Sequence, residues 1–268
     1  MGKFDKVLLA SDFDGTLNDD RGETPACVLD AIRYFTANGG RFTASTGRTF
    51  QGLRRYAHAD LFNAPALLSN GAMAYDYAAE EVVFCDGIGD EGVGFVRAFC
   101  AAFPDVSVEM YPFNETYAIH ISSGTERHFT NQGIPYTVVD DPADAPRPWA
   151  KVMLCCPDGK SAAVQDYLRA WDDPGFLPTS GTFVEVLKKG VDKGSGLLKL
   201  ADRLGVPHSR VYAAGDGYND VDMLRAAAGA FVPCSGSPEA LAAATHIVRS
   251  NNDGAIAHAI EILDSTYA

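Results

Sequence analysis

Apolar and polar positions change rhythm twice along this chain. Residues 6–11 (KVLLAS) form a near-continuous apolar run, as a strand buried on both faces would. Thr24-Pro25 reads as an N-cap followed by proline at the first helical position. Val28, Ile32 and Phe35 then recur at helical spacing until Gly39-Gly40. RFTAST (41–46) predicts a second strand that stops at Gly47, a helix follows over about 50–58, and ALLSNGA (66–72) predicts a third strand. Strand, helix, strand, helix, strand is the order of a doubly wound parallel sheet.

The rhythm shifts after Phe84. A helix is predicted over 90–103, and VSVEMY (106–111) and TYAIHIS (116–122) alternate as half-covered strands do. A short helix over 125–132, strands in YTVV (136–139) and WAKVMLCC (149–156), and a helix over 161–171 come next. FLPTS and TFVEVLKK predict a closing hairpin, and Pro142, Pro146 and Pro148 mark a loop. The β-α order then returns. Helices are expected over 194–204, 219–228, 238–244 and 254–263, with strands over 210–214, 230–234 and 246–250. The expected fold is α/β, a Rossmann-like doubly wound parallel sheet with an inserted α+β cap domain. The core spans 1–84 and 188–268 and the cap 85–187. Gly87, Gly89 and Gly190 are expected to let the two linkers bend.

Composition narrows the partners. A hydrophobic share of 47% and a charged share of 21% are ordinary for a globular chain of 268 residues. Net charge is −13, and no basic stripe exists for a nucleic acid or an anionic membrane. No run approaches the roughly 20 apolar residues of a membrane span, and the N-terminus has no secretory pattern. Six cysteines without a CxxC pair suit reduced core thiols in a cytoplasmic protein. A small anionic substrate remains open, provided a cation or a local Lys/Arg group receives it.

The chemistry collects at strand ends, where open α/β sheets bind ligands. Strand one ends in Asp12 and Asp14, and strand two in Ser45, Thr46, Gly47 and Arg48. The third gives Asn70-Gly71, and the VYAAGDGYND segment gives Asp216, Gly217, Asn219 and Asp220. Lys193 follows the insert. Paired carboxylates alone would repel and lose hydration. Together with a hard, oxygen-seeking cation such as Mg²⁺ and a lysine they suit phosphoryl transfer. One carboxylate would attack phosphorus and a second would move the proton.

Asp12-Phe13-Asp14-Gly15-Thr16, Thr46-Gly47-Arg48, Lys193 and Gly215-Asp216-Gly217-Tyr218-Asn219-Asp220 resemble, in order, the four motifs of the haloacid dehalogenase superfamily. The long insert, Asn70-Gly71-Ala72, Glu185 and Asp253-Gly254 resemble its Cof-type subclass IIB of sugar phosphatases. The resemblance implies Asp12 as nucleophile and metal ligand, and Asp14 as general acid/base with its carbonyl on the metal. It implies Thr46 and Lys193 on the phosphoryl group, and Asp216 on Mg²⁺. Asn219 and Asp220 would position the lysine and the metal's waters, Asp220 counting among the metal group. Gly47, Arg48, Asn70 and Asn219 form the expected phosphate- and substrate-binding set. Two features depart from the pattern: Ser45 stands where alanine is common, and Pro233 and Ser235 alter the loop after motif four.

The bland readings stand beside these. Arg48 could serve the phosphate or a structural ion pair, and Asn70 the substrate or a turn. Glu185 could face the site or pair with Lys188. His120 could line a pocket or simply fill a strand position. Tyr111, Phe113 and Tyr117 are expected to pack the cap, and Asp19 and Asp20 to be solvated turn residues. The implied function is Mg²⁺-dependent hydrolysis of small phosphate monoesters, with sugar phosphates the expected class, through an aspartyl-phosphate on Asp12. Cap closure would expel water, and the protein would be a cytoplasmic monomer or small homo-oligomer. A phosphomutase and a non-catalytic sugar-phosphate sensor are the rival readings.

Overall fold

The computed structural model describes residues 2–54, 56, 61–171 and 182–268, and the backbone of 175–177. In chain order it forms β1 (Leu8–Ser11), α1 (Ala26–Ala37), β2 (Arg41–Ala44), α2 (Phe50–Arg54), β3 (Ala66–Leu68), β4 (Met73–Asp76) and β5 (Glu81–Cys85). There follow α3 (Glu91–Ala102), β6 (Ser107–Tyr111), β7 (Tyr117–Ile119), α4 (Ser123–Gln132), β8 (Thr137–Val138), β9 (Lys151–Cys155) and α5 (Ser161–Arg169). Next come β10 (Gly175–Leu177), β11 (Phe183–Leu187), α6 (Lys193–Leu204), β12 (Val211–Ala214) and α7 (Val221–Ala226). The chain closes with β13 (Gly229–Pro233), α8 (Pro238–Ala243), β14 (His246–Val248) and α9 (Ala255–Thr266). It divides into two compact units. One comprises Met1–Gly47, Tyr56–Phe84 and Asp192–Ala268, the other Arg48–Arg55 and Cys85–Val191.

The first unit carries a five-stranded sheet in the order β14-β13-β12-β1-β2. Every neighbouring pair is parallel, as the apolar runs predict. Leu8 and Ala10 share one core with Val211, Ala213, Ala230 and Val232, and Leu197, Leu200, Met223 and Leu224 of α6 and α7 cover it. Each such leucine contributes about 1.5–3 kcal/mol of transfer free energy. The third predicted strand departs from expectation. β3 belongs to a separate three-stranded sheet, β3-β4-β5, and touches the main sheet's second strand through one bridge, Ser45 to Leu67. β4 and β5 escape the alternation rule because their turn has no glycine or Asn-Gly signal. Asp76 makes it instead, its carboxylate accepting from the Ala78 and Ala79 amides at 2.9 and 3.1 Å.

The second unit carries a six-stranded sheet ordered β10-β11-β9-β6-β7-β8. It is antiparallel except for β7 and β8. One face is apolar. Val108, Met110, Val152, Leu154, Val184 and Val186 pack on Phe95, Val96 and Phe99 of α3 and on Val164 and Leu168 of α5. The register places Glu109, Tyr111, Lys151 and Glu185 on the opposite face. There α4 brings Phe129 against Tyr111 and Met153. Ser122 caps α4 by accepting from the Thr125 amide, and Gly133 closes it at φ 60°. α2 also belongs to this unit, with Phe50 against Phe113 at 5.0 Å.

Several local expectations change. Thr24 does not cap α1; its hydroxyl donates to Asn18 Oδ1 at 2.7 Å, and Pro25 takes the cap position. Gly87 serves close approach, since an added Cβ would stand 2.5 Å from the Trp149 carbonyl oxygen. Ile88 and Trp149 exchange backbone hydrogen bonds there. Cys27 and Cys234 are exposed, not core, and all six cysteines are free. His120 is exposed at φ 54°, just past the end of β7. The end of the predicted 50–58 helix and the tip of the closing hairpin lie outside the described residues.

Asp19 is only 7% exposed, so it is no solvated turn residue. Its carboxylate accepts from the amides of Arg21 and Glu23 and from the Arg21 guanidinium, at 2.8–3.0 Å. The Glu23 amide and then the Arg21 side chain hold its carboxyl below the usual aspartate range. A depressed folded-state pKa stabilises above the unfolded value and is lost as pH falls through the folded one. Asp19→Asn is therefore expected to lower the melting temperature at pH 7, with the gap to wild type closing toward pH 3. Thermal melts across that range check this; a gap that widens in acid would refute it.

Candidate active site

β1 delivers Asp12 to the carboxyl end of the sheet, its amide donating to the Ala214 carbonyl on β12 at 2.8 Å. The chain then turns tightly, with the Leu17 and Asn18 amides donating back to Asp12 and Phe13 carbonyls. Gly15 sits at φ +87°, and a Cβ there would meet Asp216 Oδ2 at 2.8 Å. This is a position where both the backbone angle and the close approach require glycine. On the neighbouring strand end, Asp220 Oδ2 accepts from the amides of Asp216 and Gly217 at 3.0 and 2.8 Å. That turn fixes the orientation of motif four.

Lys193 opens α6. Asp192 and Ser195 form a capping box, each side chain taking the other's backbone amide. This starts the helix one residue earlier than the sequence pattern suggests. The lysine is completely buried. Its ammonium lies 2.5 Å from Asp12 Oδ1 and 2.6 Å from Asp220 Oδ1. Burial acts to lower the ammonium, but Asp12 and Asp220 together hold it above the usual lysine range. For Asp12 burial dominates and pushes the carboxyl up to about 8, Lys193 opposes this, and Asp220 and Asp216 add to it. Burial likewise raises Asp216, against a 2.6 Å hydrogen bond from the Thr16 hydroxyl.

Asp12, Asp216 and Asp220 each place a carboxylate oxygen within 4.8 Å of the others. Three carboxylates gather beside one ammonium, which bonds two of them, Asp12 and Asp220. A hard divalent cation fits this donor set, because oxygen ligands and excess negative charge are what it requires. Asp220 has both oxygens engaged, by Lys193 and by backbone amides. Asp12 and Asp216 each keep a second oxygen beyond these contacts.

The remaining predicted residues are placed as follows. Asp14 is exposed, and its carboxylate stands outside the three-carboxylate group. Thr46 is buried; its amide donates to the Leu67 carbonyl and its carbonyl accepts from the Asn70 amide, both at 2.9 Å. Gly47 approaches the Asn70 side chain, which a Cβ would meet at 3.2 Å. Asn219 donates to Asn70 Oδ1 at 3.1 Å. Arg48 falls in the second unit, where its guanidinium reaches the Gly52 carbonyl at 3.4 Å. Glu185 pairs with Lys151 at 2.7 Å, a partner 34 residues away that local spacing does not indicate.

Ser69, Asn70 and Gly71 all have positive φ, at 49°, 53° and 91°. A Cβ on Gly71 would stand 2.2 Å from the Asp192 carbonyl oxygen, and one on Gly196 would stand 2.6 Å from the Gly71 carbonyl oxygen. The left-handed turn is thus seated against the first turn of α6. Non-glycine residues held this way cost about 1–3 kcal/mol each, and such strain gathers at functional sites. Sequence reasoning missed this role of Ser69. It also missed the Thr16 bond to Asp216 and the Asp192 cap, although D-x-x-S before the helix was a readable signal.

Comparison with known proteins identifies the class of enzyme that carries this fold and this carboxylate–lysine centre. The sequence pattern of the haloacid dehalogenase-like hydrolases matches residues 9–260, so the chain belongs to that family. YxeH of Bacillus subtilis, which bears the name of a phosphatase, is 28% identical over 96% of this chain and 97% of its own. The structure of BT1666 from Bacteroides thetaiotaomicron, described as a phosphatase of this superfamily, superposes with a TM-score of 0.84 at 19% identity. It covers 97% of this chain and 96% of that one. The subclass IIB sugar phosphatase BT4131 gives 0.79 at 21% identity, over 96% and 98%. These two show the shared fold. The class of enzyme that family, fold and relatives define is a phosphatase.

Removing Lys193 would leave buried carboxylates without their cation. Breaking one partner of a buried ion pair costs about 3–5 kcal/mol. Without the ammonium the Asp12 carboxyl rises further, and a raised carboxyl stabilises below its unfolded value and loses that contribution as pH rises. Lys193→Met is expected to be destabilised by about 3–5 kcal/mol at pH 9 and by less at pH 5. Urea unfolding at the two pH values checks this; equal or larger destabilisation at pH 5 would contradict it.

Proposed function

We propose that the protein hydrolyses small phosphate monoesters, with sugar phosphates as the first class to try, in a Mg²⁺-dependent reaction through a phosphorylated Asp12. The observation that carries this reading is Asp12 held by the buried Lys193 ammonium, with Asp216 and Asp220 completing the group. Asp12 and Asp216 would hold the metal, with Asp220 beside them and the Asp14 carbonyl contributing as the family resemblance implies. When bound, the cation neutralises carboxylate and phosphate charge and keeps the Asp12 oxygen available as an anion.

The chain's own groups supply the rest. An Asp12 oxygen attacks phosphorus, and the bond from phosphorus to the leaving oxygen breaks. Asp14, whose side chain is exposed, donates its proton to that oxygen and the alcohol departs. The same carboxylate then takes a proton from water as the water oxygen attacks phosphorus. Asp12 is released and inorganic phosphate leaves. Thr46, Gly47 and Asn219, with Asn70 and Arg48, are assigned to the phosphoryl oxygens and the ester. Lys193 offsets the charge on the phosphoryl group and fixes the nucleophile.

The second unit we assign to substrate choice, and its boundary near 85–187 to a cap. No helix among the described residues is long and apolar enough to cross a membrane. We place the protein in the cytoplasm, as a monomer or small homo-oligomer acting on a phosphorylated metabolite.

Phosphate release over a panel of phosphorylated metabolites tests the reading. Wild type is expected to release phosphate with Mg²⁺, to stop with chelator, and to recover when Mg²⁺ is restored. Asp12→Asn is expected to keep the wild-type circular dichroism and to lose at least about 10³-fold in kcat, the scale set by loss of the nucleophile. Undiminished turnover by that variant would sink the mechanism.

A further inference from the structure

Thr16 is fully buried, so its hydroxyl meets no substrate. It donates instead to Asp216 Oδ1 at 2.6 Å, across 200 residues of sequence. A hydrogen bond from a hydroxyl to an ionised acceptor is short and about twice as strong as one between neutral groups. Among the described residues no other side chain donates to the Asp216 carboxylate.

The backbone of Asp216 is held as well. Its amide donates to Asp220 Oδ2 at 3.0 Å, and its carbonyl accepts from the Ser237 amide at 2.8 Å. Gly15 bounds the carboxylate closely. A Cβ added there would stand 2.8 Å from Asp216 Oδ2 and 3.0 Å from Oδ1.

Gly15 and Thr16 belong to the turn that begins at Asp12. The Leu17 amide closes that turn on the Asp12 carbonyl at 3.2 Å, and the Asn18 amide on the Phe13 carbonyl at 3.1 Å. Thr16 is β-branched, so its χ1 has little freedom. The closed turn, the stiff side chain and the 2.6 Å bond act together as a strut between Asp12 and Asp216. These are two of the three carboxylates whose oxygens lie within 4.8 Å of one another. A fixed spacing matters most to a cation that tolerates little variation. Mg²⁺ demands near-ideal octahedral geometry at about 2.0–2.1 Å, whereas Ca²⁺ accepts oxygens over about 2.3–2.6 Å in flexible geometry.

We infer that Thr16 is a positioning residue: by holding Asp216 at a set distance from Asp12, it raises the affinity of the site for Mg²⁺ over Ca²⁺. This rests on the metal assignment proposed above and deepens it.

Melting temperatures of chelator-treated protein, titrated with Mg²⁺ alone and with Ca²⁺ alone, give the two apparent Kd values without need of turnover. Thr16→Val keeps the side chain's shape and loses its donor. In that variant the Kd for Mg²⁺ is expected to rise about 10–100-fold, and the Kd for Ca²⁺ to rise less. Thr16→Ser keeps the hydroxyl and is expected to stay close to wild type for Mg²⁺. Thr43→Val is the control for loss of a buried hydroxyl elsewhere on the sheet. Thr43 is equally buried and donates to the Pro65 carbonyl at 2.8 Å, so its variant is expected to melt lower with both Kd values unchanged. Should Thr16→Val fail to fold, Thr16→Cys takes its place, because a thiol is only a weak donor. An unchanged Mg²⁺ Kd, an equal loss for both cations, a Thr16→Ser as weak as Thr16→Val, or a matching loss in Thr43→Val would each overturn this inference alone. A wild type whose melting temperature responds to neither cation would overturn the metal assignment and this inference with it.

Discussion

The buried Lys193 ammonium between Asp12 and Asp220 is the constraint on which the first unit depends. An ammonium with no exposed surface cannot stay charged unless carboxylates compensate it, and carboxylates so buried cannot stay charged without it. Three strand ends or helix starts, far apart in sequence, must therefore meet within hydrogen-bonding distance. The parallel sheet meets this requirement by topology: β1 and β12 are adjacent and in register, so Asp12 and motif four emerge side by side. The Asp192 cap then holds the start of α6 where Lys193 can reach both. Stability is a poor reason for such a trio, since well-packed apolar residues would serve as well. Its value lies in holding the Asp12 carboxylate in a fixed orientation within a site of unbalanced negative charge.

That fixation reaches one layer further out. The left-handed run Ser69-Asn70-Gly71 lies where a Cβ on Gly71 would strike the Asp192 carbonyl. Its Asn70 side chain also takes a hydrogen bond from Asn219. One strained turn thus touches both the helix that bears Lys193 and the loop that bears Asp216 and Asp220. A smaller or unstrained turn could close the chain between β3 and β4. The turn seen here also sets where Asn70 meets Asn219.

What the sequence discloses and what it hides divide along a physical line. The parallel core was legible because strands buried on both faces are apolar throughout and the intervening helices carry a 3.6-residue period. The family was legible because its motifs are local strings: Asp12-Phe13-Asp14-Gly15-Thr16 needs no distant partner to be read. Features set by tertiary approach were not. The third strand looks like one more core strand until its pairing is seen. Asp19 looks like a solvated acid until its four donors are placed, and Glu185 looks paired with Lys188 until the register brings Lys151 beside it. The sign of φ at Ser69 leaves no trace in composition.

The second unit poses the remaining physical problem, the polar side of its sheet. Glu109 is fully buried, accepts from the Tyr111 hydroxyl at 2.5 Å and lies against His128. Burial, then Glu109, holds the Tyr111 phenol well above its usual range, so it remains a donor. The buried Lys151 and the partly exposed Glu185 form a second pair on the same face. The opposite face of the same strands shows that an apolar solution was available to this sheet, since α3 and α5 cover it with no buried ion pair among the described residues. Polar groups on one side only are better understood as fixing position than as adding stability. Hydrogen bonds with defined donors and acceptors set where α4 lies on the sheet, which apolar contacts do loosely.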